Sequence, residues 1–355
     1  MNKTLRKSAM WQGFNNIEIV TNKIPDVKSG EALVKVESCA ICGSDLRILK
    51  HGNARVKQGT IIGHEIAGQI VKIGKGVTKF TVGDRVAIGA DVPCGKCIHC
   101  KAGRGNCCDI NYAIAHQFEG GFSEYIHLNA LTVKLGPIHK IPKNLEYDVA
   151  ALAEPLACCI NGYEVGLMNN TKNRSVVIFG AGPIGMMLAM LAPSYKAGVV
   201  ILIDPNQERL NEAKKILKLK YIINPSRQDV IKEVMKITKG LGADMIFTAC
   251  PAVESHEQAI QIVAKHGVVN FFGGLPKTAP AINLLSNFIH YREAYITGSH
   301  GSTPEQHKKA VELIVTKKVD VKKLITHRFA LNNIREAYNM AASGAAIKVI
   351  IKPHV

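Results

Sequence analysis

The chain has 355 residues, 47% hydrophobic and 21% charged, an ordinary globular composition with room for two domains of ~150 residues each. No stretch approaches the ~20 apolar residues of a membrane span. Lys3, Arg6 and Lys7 lead into no apolar core, so no secretory signal is legible and the cytoplasm is the expected compartment. The formal charge of +17 admits an anionic partner. Its lysines, however, fall in scattered pairs (Lys214 with Lys215, Lys308 with Lys309, Lys317 with Lys318, Lys322 with Lys323) within amphipathic segments. A single tryptophan and no aromatic-interleaved basic stripe argue against nucleic acid.

The first third reads as short β-like runs at 32–36, 65–73 and 85–88, punctuated by Gly74, Gly76 and Gly83. That texture predicts a small, irregular β-barrel. From Ser175 onward the pattern changes to buried strands alternating with amphipathic helices. A strand at 176–179 precedes a helix near 183–192. A second strand at 199–203 precedes a helix at 208–217, and a third at 245–249 precedes a helix at 254–264, with a further strand at 268–272. This alternation predicts βαβ units on a parallel sheet. After about Ile296 the pattern shifts again, to helices at 304–316 and 332–342 and a strand at 346–352. No internal repeat or low-complexity segment is present.

Ten cysteines in a chain without a legible signal favour metal over disulfides. Cys94, Cys97 and Cys100 follow CxxC steps, which turn successive thiolates onto one ion at about 2.3 Å. A loop with Gly103, Gly105 and Asn106 then leads to Cys107 and Cys108. Either of those two satisfies the chemistry of a fourth ligand, and His99 is a further donor. Nothing nearby resembles a nucleophile's base, so the site reads as structural and closed.

A second donor group lies upstream. Cys42 precedes Gly43, Ser44 and Asp45; His64 and Glu65 follow, and Glu154 sits much further on. Cys39 is a rival thiolate. Thiolate, imidazole and carboxylate form the mixed set of an open catalytic zinc, where a bound alcohol is activated to release hydride. Ser44 is placed to pass the proton outward, and Asp45 to hold the His64 ring.

The run Gly180-Ala181-Gly182-Pro183-Ile184-Gly185 follows an apolar strand directly and opens a helix. That is the context a GxGxxG needs: glycines for the turn and close approach, a helix N-terminus for the pyrophosphate. The next strand ends in Asp204, twenty-four residues after Gly180. A carboxylate there accepts from both ribose hydroxyls of NAD and repels a 2′-phosphate, while nearby Arg209 softens that exclusion of NADP.

Taken together, CAICGSD (39–45), GHEIAG (63–68), GDRVA (83–87), the cysteine lobe, GGFSEY (120–125), EPLACC (154–159), GAGPIG (180–185) and ITHRF (325–329) resemble the zinc-containing medium-chain dehydrogenase/reductase superfamily over nearly the whole chain. EPLA, with Glu154, is similar to the sorbitol (L-iditol) and threonine dehydrogenase branch. The resemblance implies an α/β fold: a GroES-like β-barrel catalytic domain (1–156 with 297–355) and a Rossmann doubly wound parallel sheet (157–296), with zinc and nicotinamide meeting in the cleft. It implies Cys42, His64, Glu65 and Glu154 for a catalytic zinc, Glu154 binding directly or through water. It also implies Cys94, Cys97, Cys100 and Cys108 for a structural zinc, leaving Cys107 spare. Ser44, His64 and Glu154 are the implied catalytic residues, NAD the implied cofactor, and a dimer or tetramer the implied assembly.

Two departures bear on substrate. Family members commonly have His where this chain has Arg47, leaving proton transfer to Ser44 and water or to His51. Sorbitol enzymes place an Arg–aromatic pair near Gly298, where this chain has His300-Gly301. The expected function is reversible oxidation of a secondary alcohol, polyol or sugar-alcohol type, to its ketone with NAD. L-threonine, a polyol phosphate and a cyclitol are alternative substrates, and the basic cluster Arg47, Lys50, His51 and Arg55 reads as a solvated loop or as a holder for a substrate anion. The intact Cys42, His64 and Glu65 set argues against the other class of reading, a zinc- and nucleotide-binding protein without catalysis.

Overall fold

Strand Ala32–Ala40 is buried at every position but Lys35 and Glu37, which pair with each other at 2.7 Å. Such a strand needs partners on both edges, and it is the hub of a seven-stranded sheet. It pairs antiparallel with Glu65–Ile73, Tyr125–Leu128 and Lys348–Lys352. Glu65–Ile73 continues the sheet through Arg85–Ile88 to Ile138–Lys140. Strand Ile325–Ala330 closes the other side, parallel to Lys348–Lys352. A second sheet of three strands is built from Leu5–Gly13, Asn16–Lys23 and Thr60–Ile61. The apolar faces converge on one core containing Val34, Val36, Ile66, Ile88, Phe122 and Ile351.

The computed structural model describes residues 4–166, 174–276 and 278–355. It divides into two units, Met1–Ala157 with Gly301–Val355, and Cys158–His300. In the first unit Asp148 ties the returning tail to the hub. Its carboxylate accepts from Ser38 Oγ (2.5 Å), Arg328 Nε (2.7 Å) and Lys352 Nζ (2.7 Å). Burial works against that charge, but these donors hold its pKa below the ordinary carboxylate value.

The second unit carries a parallel six-stranded sheet in the order Tyr221–Ile223, Ala197–Ile203, Arg174–Phe179, Ala243–Thr248, Val263–Phe271, Tyr295–Gly298. Helices Pro183–Leu191, Gln207–Leu217, Val230–Ile237 and Val253–Gln261 connect its strands. The last is shorter than the expected 254–264. Val263 already pairs with Ala243, and His266, at φ 56°, breaks the strand's register before it resumes at Val268. A strand this irregular has no readable period of two. Strands Tyr221–Ile223 and Tyr295–Gly298 and helix Val230–Ile237 were not expected; three- and four-residue strands are too short to show a period.

Helix Pro304–Val315 follows the expected position and opens on a capping box between Thr303 and Gln306. It delivers fully buried His307 to His139, with Nδ1 facing Nδ1 at 2.9 Å. One ring must donate and the other accept, so the two cannot both be charged. Burial pushes His139 down to about 4, with Lys79 and Lys308 adding to the effect, and drives His307 well below its ordinary value. The unfolded chain takes up these protons near pH 6.5 and the folded chain resists, so stability present above pH 6.5 is lost as pH falls toward 4. Thermal melts of wild type and His307→Phe across pH 7.5 to 5 should show the steeper fall in wild type; parallel falls would discount the pair.

Candidate functional site

The cysteine lobe forms on a short turn. Helix Ile98–Lys101 starts at Cys97, whose side chain accepts from Cys100 N. Cys97 N and Cys94 N donate in the same way to the sulfurs of Cys94 and Cys108, each at 3.4 Å. Backbone N–H groups aimed at sulfur favour thiolate. The Cys94–Cys100 and Cys97–Cys108 sulfurs are 3.9 and 4.0 Å apart, close to the ~3.8 Å edge of a tetrahedron with 2.3 Å zinc–sulfur bonds. Although burial opposes it, backbone donors from Asn111, Cys94 and Ile110 bring Cys108 down to about 6. Burial and shared protons push Cys100 up to about 12. Four sulfurs around one point fit a single divalent ion. Cys107 is exposed and stands outside the set, and His99 instead faces Asp109 at 3.7 Å.

In the same unit, the donor atoms of Cys42, His64 and Glu65 lie within 4.8 Å of one another. Cys42 caps helix Gly43–His51, and its N–H donates to Asp45 Oδ2 at 2.9 Å. This contact turns Asp45 Oδ1 toward His64 Nδ1, 3.6 Å away. The other ring nitrogen, Nε2, lies 3.4 Å from Ser44 Oγ. Burial works against charge on His64, but Asp45 and Cys42 reverse it and hold its pKa well above the ordinary value. Glu65 opens its strand fully buried. Glu154 lies in the first turn of helix Ala153–Val165, also buried. Its carboxylate is not among the three clustered donors, yet it senses the charges of His64, Cys42 and Asp91.

Burial pushes both Glu65 and Glu154 up to about 7, each raised further by neighbouring negative groups. Thiol, imidazole and two carboxyls are thus gathered where negative charge is in excess, which a divalent cation would relieve. The residues fit a zinc ion.

Three further residues complete the surroundings. Lys348 is buried and donates to Glu65 Oε1 (2.5 Å) and Ile41 O (2.9 Å). Burial alone would lower its pKa, and Glu65 raises it instead. A lysine inside the apolar run 346–351 was a signal that sequence reasoning passed over. Asp91, buried, accepts from Ser302 N at 2.9 Å. Gly301 lies against it at φ 57°, and a Cβ there would come within 2.2 Å of the carboxylate. Packing against Asp91 therefore accounts for Gly301 in the His300-Gly301 departure. His116, the third, senses the charges of His64 and Asp45. Among the basic cluster, Arg47, Lys50 and His51 are exposed, while Arg55 donates to Asn111 O and Gln117 Oε1.

In the second unit Gly180, at φ 101°, ends strand Arg174–Phe179, and a Cβ there would meet Ala249 O at 2.8 Å. A Cβ at Gly185 would lie 1.8 Å from Gly180 O, so the helix seats directly on the turn. Gly182 is the N-cap and faces open space, with Pro183 and Ile184 beginning the helix. Asp204 Oδ2 accepts from Ala181 N and Oδ1 from Asn206 N, each at 2.8 Å. Arg209 lies 3.7 Å from the same carboxylate. The acid thus braces the glycine turn while standing at the end of its strand.

Comparison with known proteins agrees with this chemistry. Residues 28–140 match the family model of the alcohol dehydrogenase GroES-like domain, and residues 183–316 that of the zinc-binding dehydrogenase. The chain is 32% identical to a sorbitol dehydrogenase of Halalkalibacterium halodurans, over 96% of this chain and 97% of that protein. It is 34% identical to an L-threonine 3-dehydrogenase of Pyrococcus furiosus, over 94% of each. A solved zinc-binding dehydrogenase from Sinorhizobium meliloti, bound to NADP, superposes with a TM-score of 0.90 at 27% identity, covering 99% of this chain and all of that one. An Escherichia coli protein described as an alcohol dehydrogenase, complexed with NADH, gives 0.88 at 28% identity over 99% and 100%. The chain belongs to the zinc-dependent medium-chain dehydrogenase/reductase superfamily, a GroES-like domain joined to a Rossmann-like one, within the sorbitol/threonine dehydrogenase-like branch of zinc polyol and alcohol dehydrogenases.

Proposed function

We propose that this enzyme oxidises a secondary alcohol of a polyol to its ketone, passes the hydride to C4 of NAD, and runs the reverse reduction. The observation that carries the reading is the convergence of Cys42, His64 and Glu65 within 4.8 Å, with Ser44 beside His64. In this reading Cys42, His64 and Glu65, with Glu154 directly or through water, hold the catalytic zinc, and Cys94, Cys97, Cys100 and Cys108 hold a structural one. The catalytic zinc supplies Lewis-acid polarisation of the substrate oxygen. Ser44 Oγ takes up the hydroxyl proton and hands it to solvent. Asp45 keeps the His64 ring oriented, and Lys348 restrains Glu65. Zinc work is assigned to 1–156 with 297–355, and NAD to 157–296 through Gly180, Gly182, Pro183, Ile184, Gly185 and Asp204, with Arg209 beside the acid. The L-threonine reading is favoured by similar identity to that relative.

Purified enzyme should contain two zinc per chain and produce NADH from a panel of sorbitol, xylitol, vicinal diols, L-threonine and a polyol phosphate. Chelation of the catalytic zinc should abolish that production. Cys108→Ala should lose one zinc, and Cys107→Ala neither. Activity surviving full chelation, or silence across the panel, would reject the assignment.

The buried, doubly hydrogen-bonded Asp204 supports NAD over NADP. Asp204→Ser removes the charge that repels a 2′-phosphate and keeps an acceptor for Ala181 N. It should raise the NADP-to-NAD ratio of kcat/KM by about tenfold; an unchanged ratio would move specificity elsewhere.

We further propose a homo-oligomer, dimer or tetramer, joined through strand Tyr295–Gly298. This strand is the sheet's edge, and Leu284, Leu285, Tyr291 and Tyr295 nearby are exposed. Unpaired edge backbone beside apolar side chains suits antiparallel pairing with a second copy. Tyr295→Asp should lower the mass in light scattering to that of one chain, and an unaltered mass would rule this edge out. No helix among the described residues is long and apolar enough to cross a membrane, and ten cysteines with no disulfide among them suit a reducing cytoplasm, which cell fractionation would check.

A further inference from the structure

The turn at 111–118 is held from three sides, beside the segment that carries His64. It is entered where Ile114 N donates to Ala90 O at 3.0 Å, beside Asp91. The chain leaving it runs along residues 61–63, with Gly120 N and Gly121 N donating to Ile61 O and Gly63 O at 2.7 Å each. His64 is the next residue of that neighbouring segment. Tyr112 stacks on Phe118 at 5.2 Å between centroids. Arg55 clamps the turn from outside through Asn111 O and Gln117 Oε1, and Gln117 Oε1 also accepts from Ala113 N at 3.0 Å.

Within this clamp Ala115 adopts φ 68°, a left-handed conformation that alanine rarely takes. Strain of this kind persists only where surrounding contacts over-determine it, and it clusters at functional sites. The residue that follows Ala115 is His116. That ring is half-buried, with Nδ1 3.4 Å from Ile114 O. Burial first, then the charge on His64, push its pKa down to about 4, so the imidazole is neutral at pH 7. With Nδ1 turned to a carbonyl, Nδ1 carries the proton and Nε2 the lone pair. Among the described residues no hydrogen bond reaches Nε2, and the one contact of the ring is through Nδ1.

We propose that His116 is a specificity-determining residue whose Nε2 accepts a hydrogen bond from the substrate hydroxyl next to the carbon being oxidised. The proposal rests on the alcohol-oxidation reading above and sharpens it: the site selects substrates with a second, vicinal hydroxyl. An acceptor built for a hydroxyl discriminates against molecules that lack it, because the imidazole is then left without its donor.

The test compares butane-2,3-diol with butan-2-ol in wild type, His116→Phe and His116→Gln. Removing the acceptor should lower kcat/KM for the diol by about tenfold, chiefly through KM, with butan-2-ol changed by no more than about twofold. His116→Gln keeps an acceptor and should recover part of the diol preference. Calorimetric titration of the diol should show the same weakening in His116→Phe, with the melting temperature retained. Equal losses on both alcohols, or an unchanged diol preference, would overturn the assignment. A wild type inert on both would bring down the alcohol-oxidation reading, and this proposal with it.

Discussion

The contact between Lys348 and Glu65 is the constraint on which the first unit turns. A buried carboxylate near a thiol and a second carboxylate would be costly without a compensating cation. Lys348 supplies a fixed one, and its placement requires the final strand to lie beside Ala32–Ala40. The same strand sends Lys352 to Asp148, so two lysines four residues apart anchor the tail by different carboxylates. Sheet architecture and site electrostatics are therefore one problem, solved by one strand.

Two donor clusters coexist in this unit, and their protein surroundings differ as the roles proposed for them require. In the cysteine lobe the neighbours are backbone N–H groups aimed at sulfur, with no carboxylate among the four clustered donors. That arrangement stabilises thiolate and saturates itself. Around His64 the neighbours are ionisable side chains with displaced proton affinities. Such a set responds to what binds there, as a site that must accept and release a substrate oxygen should.

Legibility in the sequence followed the range of the interactions involved. The lobe was readable because three of its four sulfurs lie within seven residues and backbone geometry alone brings them together. The glycine turn was readable for the same reason, since strand, turn and helix are consecutive. Choosing Cys42 over Cys39, and Cys108 over Cys107, needed a family order. The structure shows why: Cys39 is a strand residue sealed in the core, and Cys107 faces solvent. Lys348, Asp91 and His116 act through partners from about 50 to nearly 300 residues away, and no local pattern encodes such pairings. The basic cluster at 47–55 was ambiguous because charge alone does not say whether a side chain is solvated or, like Arg55, spent on a carbonyl.

The strand order of the first unit also fixes a timetable. Lys348–Lys352 is a neighbour of Ala32–Ala40, some three hundred residues earlier, while Cys158–His300 is continuous in the chain. On the ribosome the inner unit has all its strands long before the outer one does, and domains fold as their segments emerge. The outer sheet must wait with its centre exposed until Lys348–Lys352 is released. A chain cut before Lys348 would leave an unfinished sheet whose buried carboxylate has no counter-charge.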